Sequence, residues 1–192
     1  MPAVLRVNAR APPTAHASCP VLACVPWLGD GVSVEVHFTA EQPTKRIAAD
    51  CLLTDKSGRL LVLEPPYKTT WDLPDGIVER DESPRLGAQR EVLEEIGLTV
   101  EPGALLAVDW ISRSGEFTEI VAFLFDGGLL APADIDRIVI EPTEVKSFRF
   151  VTLDEAGRLL DVGQYARVAA GLEARRSATT AYLENGLPPC ST

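Results

Sequence analysis

Three glutamates lie close together in one short stretch of the chain, Glu91, Glu94 and Glu95. If this stretch is helical, Glu94 and Glu95 project about 60° and about 40° to either side of Glu91, because each residue turns a helix by about 100°. Like charges on one helical face repel each other by about 0.2–0.5 kcal/mol per pair. A solvated acidic surface tolerates that repulsion, whereas Mg²⁺ or Mn²⁺ removes it by taking carboxylate oxygens as ligands. The three residues alone leave both interpretations open.

The residues around the glutamates predict the helix that would carry them. Ser83 followed by Pro84 is typical of a helix start, with a hydroxyl N-cap and a proline at the first helical position. Gly97 is a natural helix stop. We therefore predict a helix over residues 84–96. Its apolar stripe at helical spacing consists of Leu86, Val92, Leu93 and Ile96.

Strands and two further helices are predicted around this helix. The predicted strands cover residues 47–53, 59–63, 71–78, 108–111, 118–125 and 145–151. The first two flank a turn and predict a hairpin. Residues 127–136 are predicted as a loop. A capping-box pattern from Thr152 to Glu155 predicts a helix to residue 160, and a last helix is predicted over residues 165–176.

The first 44 residues have a different pattern. Residues 1–20 contain four prolines among small residues, which predicts an irregular arm. Residues 32–38 alternate apolar and polar after a Gly-Asp-Gly turn, and together with residues 21–27 they predict a β-hairpin. An isolated hairpin is marginally stable and must pack on something, so we predict that this one serves a homodimer; the alternative is that it extends its own sheet.

Composition narrows the function classes. The chain has 192 residues, 46% of them hydrophobic and 24% charged, and a formal net charge of −10, which disfavours a partner such as duplex DNA. No apolar run approaches the ~20 residues of a membrane helix. The cysteines show no zinc or CxxC spacing, so we expect reduced thiols in a cytoplasmic protein. They are Cys19, Cys24, Cys51 and Cys190.

The wider spacing around the glutamates resembles the Nudix box, G-x5-E-x7-R-E-U-x-E-E-x-G-U, where U is aliphatic. Every defined position is filled, by Gly76, Glu82, Arg90, Glu91, Val92, Glu94, Glu95, Gly97 and Leu98. The W-x-x-P sequence of residues 71–74 and the strand-to-helix sequence of residues 148–156 also resemble segments of this family. The resemblance to MutT-like Nudix hydrolases covers residues 45–176, so we expect residues 1–44 to be an extension and residues 45–192 to be the Nudix domain.

This resemblance implies a fold, a reaction and a cofactor. The fold is an α/β (α+β) sandwich with a mixed β-sheet between helices, here with an N-terminal β-hairpin extension. The reaction is metal-dependent attack of water on the diphosphate of a nucleoside diphosphate linked to another moiety, X. The cofactor is Mg²⁺ or Mn²⁺, and the partner is a small-molecule diphosphate rather than a nucleic acid or a membrane.

The resemblance also implies roles for the box residues. Glu94 and Glu95 are implied metal ligands, and Glu91 is either a ligand or the base that deprotonates the attacking water. Arg90 is implied to orient a box glutamate, Glu82 or Glu91, rather than to touch substrate. Structural positions of the box are Gly76, Glu82 and Gly97.

Two positions near the box are less certain in role. Asp75 stands where the family usually has a glycine; its backbone is implied to wrap the metal site with that of Gly76. Its carboxylate either points outward, which we favour, or adds an oxygen near the metals. A further metal-site glutamate often comes from a late loop, and Glu144 is the first candidate, with Glu141 as the alternative.

The identity of X depends on residues outside the box. Trp71, Lys68 and Trp110 are candidates for substrate contact, with Tyr67 and Phe117 as weaker ones; packing is the alternative for the aromatic rings. Signatures of hydrolases specific for ADP-ribose, dinucleoside polyphosphates, coenzyme A or NADH are absent. We therefore expect a nucleoside triphosphate or a nucleotide sugar. A prenyl diphosphate remains an alternative, as does a catalytically weak Nudix-fold ligand-binding domain, which the intact box glutamates disfavour.

Overall fold

The computed structural model describes residues 3–6, 35–38, 44–112 and 118–189. It divides into two compact units, Met1–Thr44 and Lys45–Thr192. In the first unit, β1 (Ala3–Arg6) pairs antiparallel with β2 (Glu35–Phe38). The expectation of an irregular arm was therefore wrong for residues 3–6, because the prolines of the arm flank this run rather than interrupt it. The predicted hairpin falls mostly outside the described residues.

The second unit contains seven strands and four helices among its described residues. The strands are β3 (Arg46–Asp55), β4 (Leu60–Glu64), β5 (Asp75–Ile77), β6 (Leu105–Ile111), β7 (Ile120–Leu130), β8 (Ser147–Val151) and β9 (Ala181–Glu184). The helices are α1 (Pro84–Ile96), α2 (Pro132–Ile135), α3 (Leu153–Leu159) and α4 (Val162–Ser177). Sequence analysis missed β9, α2 and the strand character of residues 126–130, and it placed the other elements within a few residues.

The strands of this unit form one mixed sheet. Its order is β8-β4-β3-β7-β6-β9, and β5 pairs with β3 beside this path. The pairs β3–β7 and β6–β9 are parallel, and the other pairs are antiparallel. The predicted mixed sheet is confirmed, and so is the hairpin of β3 and β4.

Alternate residues of β3 face two separate apolar clusters. Ala49, Cys51 and Leu53 pack in one cluster with buried residues of α1, whereas Leu52 packs in the other with Ala156 of α3 and Val168 of α4. Because side chains alternate across a strand, α1 covers one face of the sheet, and α3 and α4 cover the other. The predicted sandwich is confirmed.

The ends of α1 are as predicted, and its buried face is as predicted for Val92 and Ile96 but not for Leu86 and Leu93. The Ser83 hydroxyl accepts a hydrogen bond from the Leu86 N–H at 3.4 Å, and Gly97 ends the helix with φ at 69°. The residues that face the core are Gly87, Ala88, Val92 and Ile96, while Leu86 and Leu93 are 52% and 49% exposed. Two of these residues, Gly87 and Ala88, are small, which lets the helix lie close to the sheet.

The predicted loop over residues 127–136 is replaced by strand and helix. β7 continues to Leu130, and its register with β3 shifts between Leu52 and Leu53. Gly127 packs directly on the side chains of Cys51 and Leu53, and Gly128 has a φ of +81°. The two glycines therefore form an irregularity within the sheet, and α2 follows it. No helix among the described residues is long and apolar enough to cross a membrane.

Candidate active site

Two box glutamates lie against the backbone of β5. Gly76 is paired with Ala49 on the α1 side of the sheet, and a Cβ atom at Gly76 would overlap the carboxyl group of Glu91. One helical turn further along, Glu95 Oε2 accepts a hydrogen bond from the Asp75 N–H at 3.1 Å. The absence of a side chain at Gly76 is therefore what lets the carboxyl group of Glu91 reach the strand.

Arg90 binds three of the box glutamates at once. Its Nε and Nη2 donate to the two carboxylate oxygens of Glu82 at 3.0 Å each, and Nη1 donates to Glu91 and Glu94 at 2.8 Å each. A fifth hydrogen bond joins Nη2 to the carbonyl of Ile77 at 3.1 Å. The sequence left Glu82 and Glu91 as alternative partners, and the structure shows both. Arg90 thereby links β5, the loop before α1 and the acidic face of α1.

We expect Arg90→Lys to lower the free energy of unfolding by about 1–3 kcal/mol, because lysine has three donors on a compact ammonium group and cannot reproduce the planar five-donor contact. Urea unfolding measures this. Arg137→Lys is the control, since its side chain is 71% exposed and contacts only Asp134 at 3.5 Å. Equal stability of the two variants would show that the Arg90 contacts contribute nothing to the fold.

The carboxyl groups of this site raise one another's pKa. Burial raises the pKa of Glu95 to about 9, with Asp75, Glu91 and Glu144 as further causes. Burial also raises the pKa of Glu91; Arg90 opposes that rise, and Glu94 and Glu144 add to it. A partly buried carboxylate among other carboxylates is unfavourable unless a cation offsets the charge. The electrostatics of the site therefore favour a bound cation.

The structure separates the two candidates for the late glutamate. Glu144 contributes to the raised pKa of both Glu91 and Glu95, which places its charge within the field of the site. The Glu141 carboxylate instead accepts hydrogen bonds from the N–H and hydroxyl of Thr143, at 3.2 and 2.9 Å. The Glu141 N–H donates to the Glu95 carbonyl at 3.0 Å and so caps the end of α1. Glu141 therefore has a structural contact at the end of α1, and Glu144 stays the first candidate for the additional carboxylate.

The donor set fits a hard divalent cation in its chemistry but is not assembled as a coordination group. Among the described residues, no three His, Cys, Asp or Glu side chains converge as a metal site. Arg90 holds Glu91 and Glu94, and the Asp75 backbone holds Glu95. All the available donors are carboxylate oxygens, which Mg²⁺ and Mn²⁺ prefer. The raised pKa of Glu95 supports the fit, because a cation would relieve the repulsion that causes it.

Asp75 is half-buried on the face of the sheet opposite to the one that α1 covers. It lies directly opposite Asp50 across β5 and β3, so the two side chains share the face of the sheet that α4 covers. Burial raises the pKa of Asp75 well above its usual range, and Asp50 and Asp72 raise it further. The alternation of β5 directs Gly76 toward α1 and Asp75 to the opposite face, while the charge of Asp75 still raises the pKa of Glu95, so the favoured outward placement of its carboxylate stays a prediction. Asp75 reaches the site of the box glutamates through its backbone.

The three candidates for substrate contact have different environments. Trp71 is buried in the α3–α4 cluster with the Arg149 guanidinium 4.8 Å from its ring centre, so its ring is a packing element rather than an open binding surface. Lys68 Nζ donates to both carboxylate oxygens of Asp72 at 2.8 Å. Trp110 is half-buried near the end of β6. Phe117 lies outside the described residues.

Sequence analysis missed a buried ion network on the α4 face of the sheet. Arg167 donates to Asp50 Oδ2 at 2.8 Å and to Asp109 Oδ2 at 3.0 Å, and all three side chains are at most 7% exposed. Asp109 Oδ1 also accepts the Gly186 N–H at 3.0 Å. The available signal was the position of each aspartate in the middle of an otherwise apolar strand sequence.

Comparison with known proteins gives one family. The sequence profile of the NUDIX domain matches residues 44–171. A MutT-like protein of Streptomyces ambofaciens is 38% identical over 83 residues, which are 43% of this chain and 51% of that protein. The Xenopus laevis protein named nucleoside diphosphate-linked moiety X motif 6 is 33% identical over 84 residues, 43% of this chain and 37% of that protein. The chain therefore spans about half or less of the length of these curated relatives.

Solved structures agree with the fold. A MutT protein from Methanosarcina mazei Go1 superposes with a TM-score of 0.56 at 26% identity, covering 73% of this chain and 99% of the other. A structure described as a UDP-X diphosphatase superposes with a TM-score of 0.60 at 18% identity, covering 75% of this chain and 69% of the other. The second likeness is one of fold alone.

Proposed function

Because this chain belongs to the NUDIX family, we propose that it is a metal-dependent pyrophosphohydrolase that cleaves the diphosphate of a nucleoside diphosphate linked to another moiety, X. The observation that carries this proposal is the placement of Glu91 and Glu95 against the backbone of Asp75 and Gly76. Arg90 stabilises this arrangement through its hydrogen bonds to Glu82, Glu91 and Glu94. A domain that only binds ligands has no need to crowd carboxylates in this way.

In this proposal each residue of the site has a separate task. Glu94, Glu95 and Glu144 would hold the divalent cation, which would neutralise charge on the phosphate oxygens and make the attacking water more acidic. Glu91 either completes the ligand set or accepts the proton of the attacking water. Burial raises its pKa, which makes its carboxylate a stronger base than that of an exposed glutamate. Arg90 keeps Glu91 at β5, and Gly76 leaves space for its carboxyl group.

For X we propose a nucleoside triphosphate or a nucleotide sugar as the substrate class. The names of the Xenopus relative and of the UDP-X diphosphatase support a nucleoside diphosphate joined to a further group. The test is chromatographic detection of the products with Mg²⁺, and again with EDTA: nucleoside monophosphate and diphosphate from nucleoside triphosphates, nucleoside monophosphate and sugar phosphate from nucleotide sugars, and phosphate from prenyl diphosphates. We expect turnover of a nucleotide that EDTA abolishes. Turnover of prenyl diphosphates alone, or of no diphosphate, would contradict the proposal.

We further propose that residues 1–44 form an extension to a Nudix domain over residues 45–192, that the extension mediates a homodimer, and that the protein acts in the cytoplasm. The sequence of residues 21–38 carries more apolar surface than a minimal Nudix domain uses. Light scattering of the full chain and of a chain beginning at Pro43 tests the assembly. We expect a dimer for the first and a monomer for the second. The same number of copies per particle for both chains would reject the role of the extension.

A further inference from the structure

Asp50 has one carboxylate oxygen that lacks a partner. The residue is 1% exposed, and its Oδ2 atom accepts from Arg167. Its Oδ1 atom is buried and accepts no hydrogen bond in the structure. Leaving a buried acceptor unpaired is unfavourable, more so when the group is charged, so such an atom in a folded protein requires an explanation. The explanation lies in the side chains around Asp50.

Those surroundings contain an excess of acids. Asp75 lies directly opposite Asp50 on the same face of the sheet and is half-buried, so it forms the solvent side of the pair. Asp72 interacts electrostatically with both, and its own carboxylate is occupied by Lys68. The nearby cation, Arg167, is shared between Asp50 and Asp109.

A second buried acceptor without a partner lies on the same helix as Arg167. Gln164 is 3% exposed, and its Oε1 atom accepts no hydrogen bond in the structure. Residues three apart lie on the same side of a helix, so Gln164 and Arg167 both face inward from α4. Asp50 Oδ1 and Gln164 Oε1 are both oxygen atoms that can only act as acceptors. Each of these two buried acceptors therefore lacks a donor among the described residues.

We propose that Asp50, Asp72 and Asp75 form the recognition site for an amino-bearing part of X, with the N–H groups of that part donating to Asp50 Oδ1 and to the Asp75 carboxylate. The class of substrate is a nucleotide whose base or sugar carries an amino group. This inference rests on the proposed function and specifies its substrate.

The geometry of β5 joins this site to the site of hydrolysis. Gly76 faces Glu91 on the α1 side, whereas Asp75, the preceding residue, faces Asp50 on the α4 side. Adjacent Cα atoms are only about 3.8 Å apart. One substrate can therefore extend past the end of β5, with its diphosphate at the box glutamates and its amino group at Asp75. The backbone of Asp75 serves the first site and its side chain serves the second.

The test compares substrates that differ only in the amino group. The pairs are CTP with UTP, ATP with inosine triphosphate, and UDP-glucosamine with UDP-glucose, each with Mg²⁺. An acceptor site that loses its donor, or meets a carbonyl oxygen instead, discriminates strongly. We expect kcat/KM to favour the amino-bearing member of at least one pair by about tenfold or more, mostly through KM. Equal kcat/KM within all three pairs would overturn the proposal.

Asp50→Asn and Asp109→Asn are matched variants for this measurement. Each removes one buried charge from Arg167, but only Asp50 faces Asp75. We expect Asp50→Asn to reduce the preference within the responsive pair to about threefold or less, while Asp109→Asn keeps it. Asp75→Asn provides a second variant on the solvent side and should also reduce the preference. An unchanged preference in Asp50→Asn and Asp75→Asn, or an equal loss in Asp109→Asn, would reject direct recognition.

Failure of this inference is distinguishable from failure of the proposed function. If no member of any pair is hydrolysed, the proposed hydrolase activity on nucleotides fails, and the recognition site fails with it. If both members of each pair are hydrolysed equally, the activity stands and the inference alone is rejected. Thermal unfolding of the three variants without substrate shows whether a change in preference merely follows a loss of folded protein.

Discussion

Glu95→Gln should lower the rate of metal-dependent diphosphate hydrolysis by about 10³-fold or more while the protein stays folded. Burial raises the pKa of Glu95 to about 9, and the charges of Asp75, Glu91 and Glu144 raise it further, so this carboxylate lies where a cation would be most favourable. Removing a charged group that acts on the transition state costs several kcal/mol. Glu94→Gln should also reduce the rate. Steady-state rates over a wide Mg²⁺ range measure both effects.

The same substitution should stabilise the metal-free protein at neutral and higher pH. In the folded protein the pKa of Glu95 is raised from 4.5 to about 9, so the folded form holds a proton that the unfolded chain loses. Stability is therefore fully present below about pH 4 and falls as pH rises from the ordinary pKa toward the raised one. Glutamine does not ionise and escapes this loss. We expect a gain of up to about 5 kcal/mol at pH 8 and little change at pH 4.

Glu101→Gln is the control for both measurements, because Glu101 is exposed on the loop between α1 and β6. It should retain the wild-type rate and the wild-type dependence of stability on pH. A Glu95→Gln protein that turned over at the wild-type rate in saturating Mg²⁺ would show that Glu95 does not hold the metal. An activity loss accompanied by unfolding would mean that Glu95 acts on the fold rather than on the reaction.

Gly76→Ala should reduce the rate by about 10²-fold through a steric effect on Glu91. The new methyl group would overlap the carboxyl group of Glu91, which must then leave β5. Glu91 would also lose its 2.8 Å hydrogen bond from Arg90 in that position. Displacing a reacting group by about 1 Å can cost about 10²-fold in rate. The midpoint of the unfolding transition should shift little, because the carboxyl group at the end of the Glu91 side chain can move away from the new methyl group.

Gly103→Ala is the matched control for this substitution. The nearest atom to a Cβ at Gly103 is the Asp126 carbonyl oxygen at 3.5 Å, an ordinary van der Waals contact, and Gly103 has no positive φ. We expect its activity and stability to be close to those of the wild type. If Gly76→Ala were equally active, the carboxyl group of Glu91 would not need its place beside β5 for catalysis.

The features that sequence analysis predicted correctly are those fixed by local chemistry. The hydroxyl of Ser83, the ring of Pro84 and the left-handed backbone of Gly97 set the ends of α1 without help from distant residues. The pairing of Arg90 with Glu94 follows from helical spacing, since the two are four residues apart, although sequence analysis named only Glu82 and Glu91 as partners. The other residues of the candidate site were predicted from the resemblance of residues 76–98 to the Nudix box.

The features that were missed depend on partners distant in the chain. The orientation of Asp75 follows from its register with Asp50, which lies 25 residues earlier. The extension of β7 through Gly127 depends on the close packing of that glycine on Cys51 and Leu53. Leu86 was expected to face the core because hydropathy alone ranks it above Ala88. The close approach of α1 to the sheet instead selects the small residue.

The long parallel pairing of β3 with β7 has a consequence for biosynthesis. Arg46 pairs with Ile120 and Asp55 with Leu130, so each partner is made about 75 residues later. At a ribosomal rate of about 5–20 residues per second, β7 is synthesised about 4–15 s after β3. During that interval the nascent chain can form the β3–β4 hairpin, whose pairing is local. Until β7 emerges, the backbone N–H and C=O groups on the other edge of β3 can pair with another chain. A chaperone bound during this interval would prevent such aggregation.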